Sequence, residues 1–235
     1  MEQAGKGRYD RSMEEPVDDL GYSKRLQKPR GDITLFDENA KFIRLPTPPK
    51  NSSMQTAKEL LTVQGATYLR GPGMIKSIKK HDNDPAFAIK TYLSVFGLEY
   101  DSERIDKIIK ESAILINYLK NKFNRPRPSQ LAPYFGIDLE ILTSRSSKSP
   151  SYPSGHATQA RLVAEILGAK YPDHRNNLIR AAEECGGGRI MAGFHYPSDH
   201  KAGIYLAKRL FRALKRSHKI NYDQTIDLTT KKGGK

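Results

Sequence analysis

Three short stretches of this sequence concentrate residue types that handle anions and protons. In SYPSGHATQAR, residues 151–161, Ser154, Gly155 and His156 open a helical pattern. A histidine in a first turn sits at the positive end of the helix dipole and gains nothing there by being charged. A helix start made of serine and glycine, however, offers free backbone N–H groups to an anion, and glycine lets a phosphate approach the backbone closely. A bound phosphate would reverse the local cost of protonating His156. The plain alternative is Ser154 as an ordinary N-cap with His156 a satisfied surface residue.

The second stretch, KNKFNRPRPSQ, places Lys120 seven residues before Arg127. That spacing returns to nearly the same helix face if the turn persists so far, and two cations then point one way. A solvated basic helix end accounts for the same residues, although Pro126 and Pro128 hold the chain around Arg127 more firmly than solvation requires. The third stretch, CGGGRIMAGFHYPSDH, runs from Cys185 to His200. Three consecutive glycines in a helical pattern cost roughly 1 kcal/mol each relative to alanine, which points to close backbone packing or ligand approach. Arg189 follows them. His195 and Asp199 lie four apart around Pro197, so the pair sits where a loop enters the last helix. A carboxylate there can accept from one ring nitrogen and hold the other ready to attack. It serves equally as half of a structural His–Asp bond.

These residues need helices to position them. Ser53 caps a predicted helix through about Val63, a short one follows Pro72, and another fits Pro85 to Phe96. Asp101 opens a long amphipathic helix in which Ile105, Ile108, Ile109, Ala113, Ile116 and Leu119 recur at helical spacing, ending before Pro126. Helices are further expected from Ser154 to about Lys170, Asp173 to about Phe194, and Ser198 to about Arg216. Arg161 lies outside the motifs and is expected to matter little to turnover. No strand pattern of any length appears beyond a brief β-like ITLF at Ile33 to Phe36. The expected organisation is an N-terminal arm over residues 1–50, disordered at its start, an all-α helical domain over 51–216, and a polar basic tail over 217–235.

The chain is 235 residues long, with a formal charge of +14 and a pI near 9.7. Such a balance suits an anionic partner and allows weak non-specific binding to anionic polymers or surfaces. The single cysteine, Cys185, excludes an internal disulfide framework. No leader-like apolar stretch opens the sequence, and its apolar runs fall below the roughly 20 residues of a bilayer span. A soluble, cytoplasmic protein is the expectation.

Taken together, Lys120-x6-Arg127-Pro128, then Pro153-Ser154-Gly155-His156, then Arg189-x5-His195-x3-Asp199 resembles the three-part signature of the type 2 phosphatidic acid phosphatase superfamily. That superfamily includes class A bacterial acid phosphatases and vanadium haloperoxidases. The match covers about Lys120 to His200, in order and at the right internal spacings. One departure is Gly188, which stands where the third motif usually carries serine. The resemblance implies a helical bundle of the acid phosphatase/haloperoxidase type, with Lys120, Arg127 and Arg189 binding phosphate oxygens and Ser154 and the Gly155 N–H completing the cradle. It implies His195 as a nucleophile giving a phosphohistidine, Asp199 as its orienting partner, and His156 as the acid for the leaving oxygen. No metal or other cofactor is expected, and vanadate should bind as a phosphate mimic. The implied activity is metal-independent hydrolysis of small, soluble phosphomonoesters, the oligomeric state being left open. The same motifs also fit a vanadium-dependent haloperoxidase, and the charge also fits a nucleic-acid or acidic-lipid binding protein with a vestigial pocket.

Overall fold

A computed structural model describes residues 32–36, 40, 43–144 and 146–216, and among these every regular element is a helix. The first three are α1, Met54–Tyr68, α2, Pro72–Asn83, and α3, Phe87–Val95. Ser53 caps α1 as expected, its Oγ accepting from Thr56 N. The long helix α4 spans Ser102–Phe123, capped by Asp101, whose Oδ1 accepts from Arg104 N at 2.9 Å. It stops at Asn124, which takes a left-handed conformation at φ 43°. Lys120 and Arg127 therefore do not share a helix face; the chain turns after Asn124, and Arg127 caps the four-residue α5, Pro128–Leu131.

Three helices follow: α6, Gly155–Lys170, α7, Arg175–Met191, and α8, Pro197–Arg216. The helix expected from Asp173 instead opens with a 3₁₀ turn at Pro172–His174, and α7 ends three residues before Phe194. The glycine triplet stays helical. A Cβ at Gly186 would stand 2.3 Å from the His200 ring, and one at Gly188 would stand 3.2 Å from Ile78 Cγ1. The triplet is thus explained by close packing of α8 and α2 on α7 at two of its three positions.

At the centre lies α6, buried almost continuously from Ala157 to Gly168. A helix enclosed on all sides needs small and apolar residues all round rather than one stripe. One side of it, Leu162 and Ile166, packs with Ile108, Leu115 and Leu119 of α4 and Leu206 and Leu210 of α8. The other, Ala160, Val163, Ala164 and Leu167, packs with Ile89 and Leu93 of α3 and Leu178 and Ala182 of α7. Each large aliphatic chain enclosed here contributes roughly 1.5–3 kcal/mol. Arg161 belongs to this interior and is no surface charge: Nε donates to Glu165 Oε1 at 2.9 Å and Nη1 to Glu183 Oε1 at 3.1 Å.

Parts of the expected arm are built into the domain. Ile33 to Phe36 form no strand; the backbone N–H groups of Thr34 and Leu35 donate to the Glu111 carboxylate at 2.9 and 2.7 Å. Phe36 and Ala40 are buried in the α4–α6–α8 core, and Tyr152 Oη donates to Pro46 O. The expected disordered start and the tail over 217–235 lie outside the described residues. Among the described residues no helix is long and apolar enough to cross a membrane.

Candidate active site

The three motifs converge on one cavity of about 140 Å³, whose lining includes Lys120, Arg127, Gly155, His156, Arg189 and His195. Lys120 comes from the last turn of α4, and Gly155 and His156 from the first turn of α6. Arg189 comes from the last turn of α7, while Arg127 and His195 stand on the connections into α5 and α8. Asp199, in the first turn of α8, is fully buried behind His195. There the positive end of the helix dipole favours its charge.

His195 is held at both ring nitrogens. Nδ1 lies 3.1 Å from Asp199 Oδ2, so the ionised carboxylate keeps the proton on Nδ1 and leaves a lone pair on Nε2. Nε2 faces Arg127 Nη1 at 3.1 Å. Burial and the Arg127 charge hold the His195 pKa well below its ordinary value, so the ring is neutral. Burial alone would raise Asp199, but Arg125, whose Nη1 donates to Oδ1 at 2.6 Å, and the hydrogen bonds from His195 and Ser151 outweigh it and hold the carboxylate ionised. The Tyr196 N–H at 3.0 Å completes its shell.

Backbone carbonyls fix Lys120 and Arg127, and side chains fix Arg189. Lys120 Nζ donates to Pro150 O and to Ser151 O at 3.3 Å. Burial and the nearby Arg127 push its pKa well down, which makes the site receptive to a compensating anion. Arg127 Nε donates to Ser149 O at 2.8 Å and Nη1 to Phe194 O at 2.9 Å. Arg189 donates from Nη1 to Asp82 Oδ1 at 2.5 Å and from Nη2 to Ser146 Oγ at 2.7 Å.

Ser154 is not an ordinary N-cap. Its side chain makes no capping bond, and its Oγ is enclosed without a partner. A buried hydroxyl without a partner costs on the order of 1–3 kcal/mol, and Ser154, unlike Gly155 and His156, does not line the cavity. His156 is no surface residue either. Its Nε2 lies 3.3 Å from Asp82 O and 3.9 Å from Asp82 Oδ1. Burial and the Arg189 charge push its pKa down to about 3, so the ring is neutral at ordinary pH. Gly188 does not line the cavity, and a Cβ there would stand 3.2 Å from Ile78 Cγ1 of α2.

Several participants carry no signal of their own in the sequence. Asp82, near the end of α2, accepts from Arg189 and from Ser144 and Ser146 Oγ at 2.8 and 2.7 Å. Arg125 is fully buried and faces away from the cavity, bridging Asp199 and Glu59 with its guanidinium 3.9 Å from the Tyr196 ring centroid. Ser151 Oγ donates to Asp199. The only clue to Arg125 is its place two residues before Arg127, and Asp82 lies some forty residues before the first motif. Among the described residues no three His, Cys, Asp or Glu side chains are grouped to hold a metal ion.

The chain matches the PAP2 superfamily over residues 108–223, the segment that carries all three motifs. It is 28% identical over 204 residues to an acid phosphatase of Zymomonas mobilis, covering 82% of this chain and 75% of that protein. It is 36% identical over 93 residues to a lipid A 1-phosphatase of Rhizobium johnstonii, covering 40% of this chain and 38% of that one. In fold it is similar to a transmembrane PAP2-type phosphatidylglycerolphosphate phosphatase from Bacillus subtilis, with a TM-score of 0.51, 22% identity, and coverage of 72% of this chain and 89% of that one. With its three motifs gathered on one cavity inside a helical bundle, the chain belongs to the PAP2 superfamily.

Proposed function

We propose that this protein is a phosphoric monoester hydrolase that acts through a phosphohistidine on His195. The observation that carries the reading is the setting of His195. Its Nδ1 is committed to Asp199, its Nε2 lone pair lies on the cavity side, and three buried cations surround the place where a phosphate would sit. Phosphoryl transfer asks chiefly for in-line positioning and positive charge around the equatorial oxygens, and Lys120, Arg127 and Arg189 supply that charge. An arriving phosphate competes for Arg127, whose withdrawal from Nε2 releases the lone pair. Nε2 then bonds to phosphorus as the ester P–O bond breaks, and the departing oxygen takes the proton that the monoanionic ester has handed to His156 on binding. In the second half, water attacks phosphorus and gives its proton to the now neutral His156. The P–N bond breaks, leaving inorganic phosphate and the original ring. The Gly155 N–H binds a phosphate oxygen at the helix N-terminus. A cavity of about 140 Å³ suits a phosphate and a short, soluble alcohol.

Two variants test these roles. His195→Ala should abolish an acid-trappable phosphoenzyme whatever the leaving group. His156→Ala should cost several orders of magnitude in kcat/KM on an alkyl phosphate and far less on a nitrophenyl phosphate, whose phenolate leaves unaided. Equal losses on both esters would remove His156 as the acid, and turnover by His195→Ala would remove the nucleophile. Activity should survive chelation of divalent ions and be inhibited by vanadate.

A further inference from the structure

Once the phosphate cradle is assigned, six residues of the cavity wall remain: Ser146 and Ser149, which are bonded to Arg189 and Arg127, and Ala113, Ile116, Asn117 and Gln159. The placement of these last four is regular. Ala113, Ile116, Asn117 and Lys120 fall at i, i+3, i+4 and i+7 on one face of α4, so the wall runs roughly 10 Å along the helix away from the phosphate end. Gly155, His156 and Gln159 share a face of α6 in the same way. The two faces touch: a Cβ at Gly155 would meet Ile116 Cγ2 at 3.5 Å, and Gln159 Nε2 donates to Ile109 O at 3.0 Å.

We infer that Asn117 and Gln159 form the subsite for the alcohol half of the ester and select a small polyhydroxylated alcohol. The inference rests on the phosphatase reading above. Gln159 is fixed by its bond to α4, and its carbonyl oxygen is the acceptor it has left for a ligand. Asn117 stands exposed at the mouth and brings both a donor and an acceptor. Between them lie only a methyl group and one isoleucine, too little apolar surface to hold acyl chains. Among the described residues lining this cavity the only aromatic rings are the imidazoles of His156 and His195, both assigned to the phosphate, so a nucleobase finds no Phe, Tyr or Trp ring to stack on. A site built to hydrogen-bond a substrate hydroxyl rejects the analogue without it, because its own polar groups are then left unpaired.

The test compares glycerol 3-phosphate with n-propyl phosphate, which has the same carbon skeleton without the hydroxyls, and adds a nucleoside 5′-monophosphate and dihexanoyl phosphatidic acid. The wild-type kcat/KM should favour glycerol 3-phosphate over propyl phosphate by about tenfold or more, the effect of one hydrogen bond. Asn117→Leu, at an exposed position that leaves the fold alone, should bring that ratio close to one, and Gln159→Met should lower it too. Equal turnover of the glycerol and propyl esters, a ratio unmoved by Asn117→Leu, or a preference for the nucleotide or the phosphatidic acid overturns the subsite. Absence of turnover on all four esters, with no phosphohistidine trapped, removes the phosphatase reading itself and the subsite with it.

Discussion

The depressed pKa of His156 makes a pH dependence that belongs to the substrate rather than to the enzyme. Burial and Arg189 put the ring at about 3 against an ordinary value of 6.5. Charging His156 in the free enzyme therefore costs about 5 kcal/mol more than in water, at 1.36 kcal/mol per pKa unit. Each negative charge of a phosphate about 4 Å away returns roughly 4 kcal/mol at an effective dielectric of 20, so a bound dianion makes the protonated ring stable again. The proton has to arrive with the substrate. A phosphomonoester loses its second proton near pH 6, and the monoanion holds the same proton inventory as dianion plus charged histidine. kcat/KM, which reports free enzyme and free substrate, should thus fall about tenfold per pH unit above roughly pH 6, reaching about a hundredfold by pH 8. The assay is a kcat/KM profile from pH 4 to 8.5 on two alkyl phosphates, one fluorinated so that its second ionisation is lower. The break should move down with that ionisation. A break that stays at one pH for both esters, or a ring NMR signal showing His156 protonated at pH 6 without ligand, would refute the reasoning.

Other consequences follow from the same network. Arg127→Ala and Arg189→Ala should each lower kcat/KM by two or more orders of magnitude, the scale of losing an electrostatic contact to a transferring group, while Lys208→Ala on the exposed side of α8 should not. Arg161 is unsuited as that control, since its loss removes ion pairs with Glu165 and Glu183 inside the helical core. Arg125→Met leaves the buried Asp199 and Glu59 carboxylates without their cation and should destabilise the fold by about 3–5 kcal/mol in urea unfolding. His81, His156 and His195 all have folded-state pKa values below the unfolded 6.5. The unfolded chain therefore binds protons that the folded one does not as pH drops below about 6.5, and stability falls with it. For His156 alone the loss is about 2 kcal/mol between pH 6.5 and 5, and a melting temperature unchanged over that interval would contradict it.

The sequence by itself determined the helical class, most helix positions and the residues that meet at the cavity, among them Lys120, Arg127, Gly155, His156, Arg189 and His195. Hydrophobic spacing such as Ile105, Ile108, Ile116 and Leu119 follows directly from the helical period, and caps at Ser53 and Asp101 are local hydrogen bonds within three residues. The chemistry-bearing residues were legible because their spacing within each motif is short and their residue types are demanding. Tertiary structure decided what local rules do not reach. Asn124 ended α4, so Lys120 and Arg127 meet through a turn in the chain rather than through a shared face. Asp82 and Arg125 became part of the site through contacts with Arg189 and Asp199 across 107 and 74 residues of sequence, with no local pattern to announce them. The protonation of the two histidines was likewise a tertiary outcome, since enclosure among helices and the nearby guanidinium groups set the cost of charging each ring. A helix start can offer a phosphate site from local geometry alone, but the enclosure and the Arg189 charge that hold the His156 ring neutral exist only once α2, α6 and α7 have packed together.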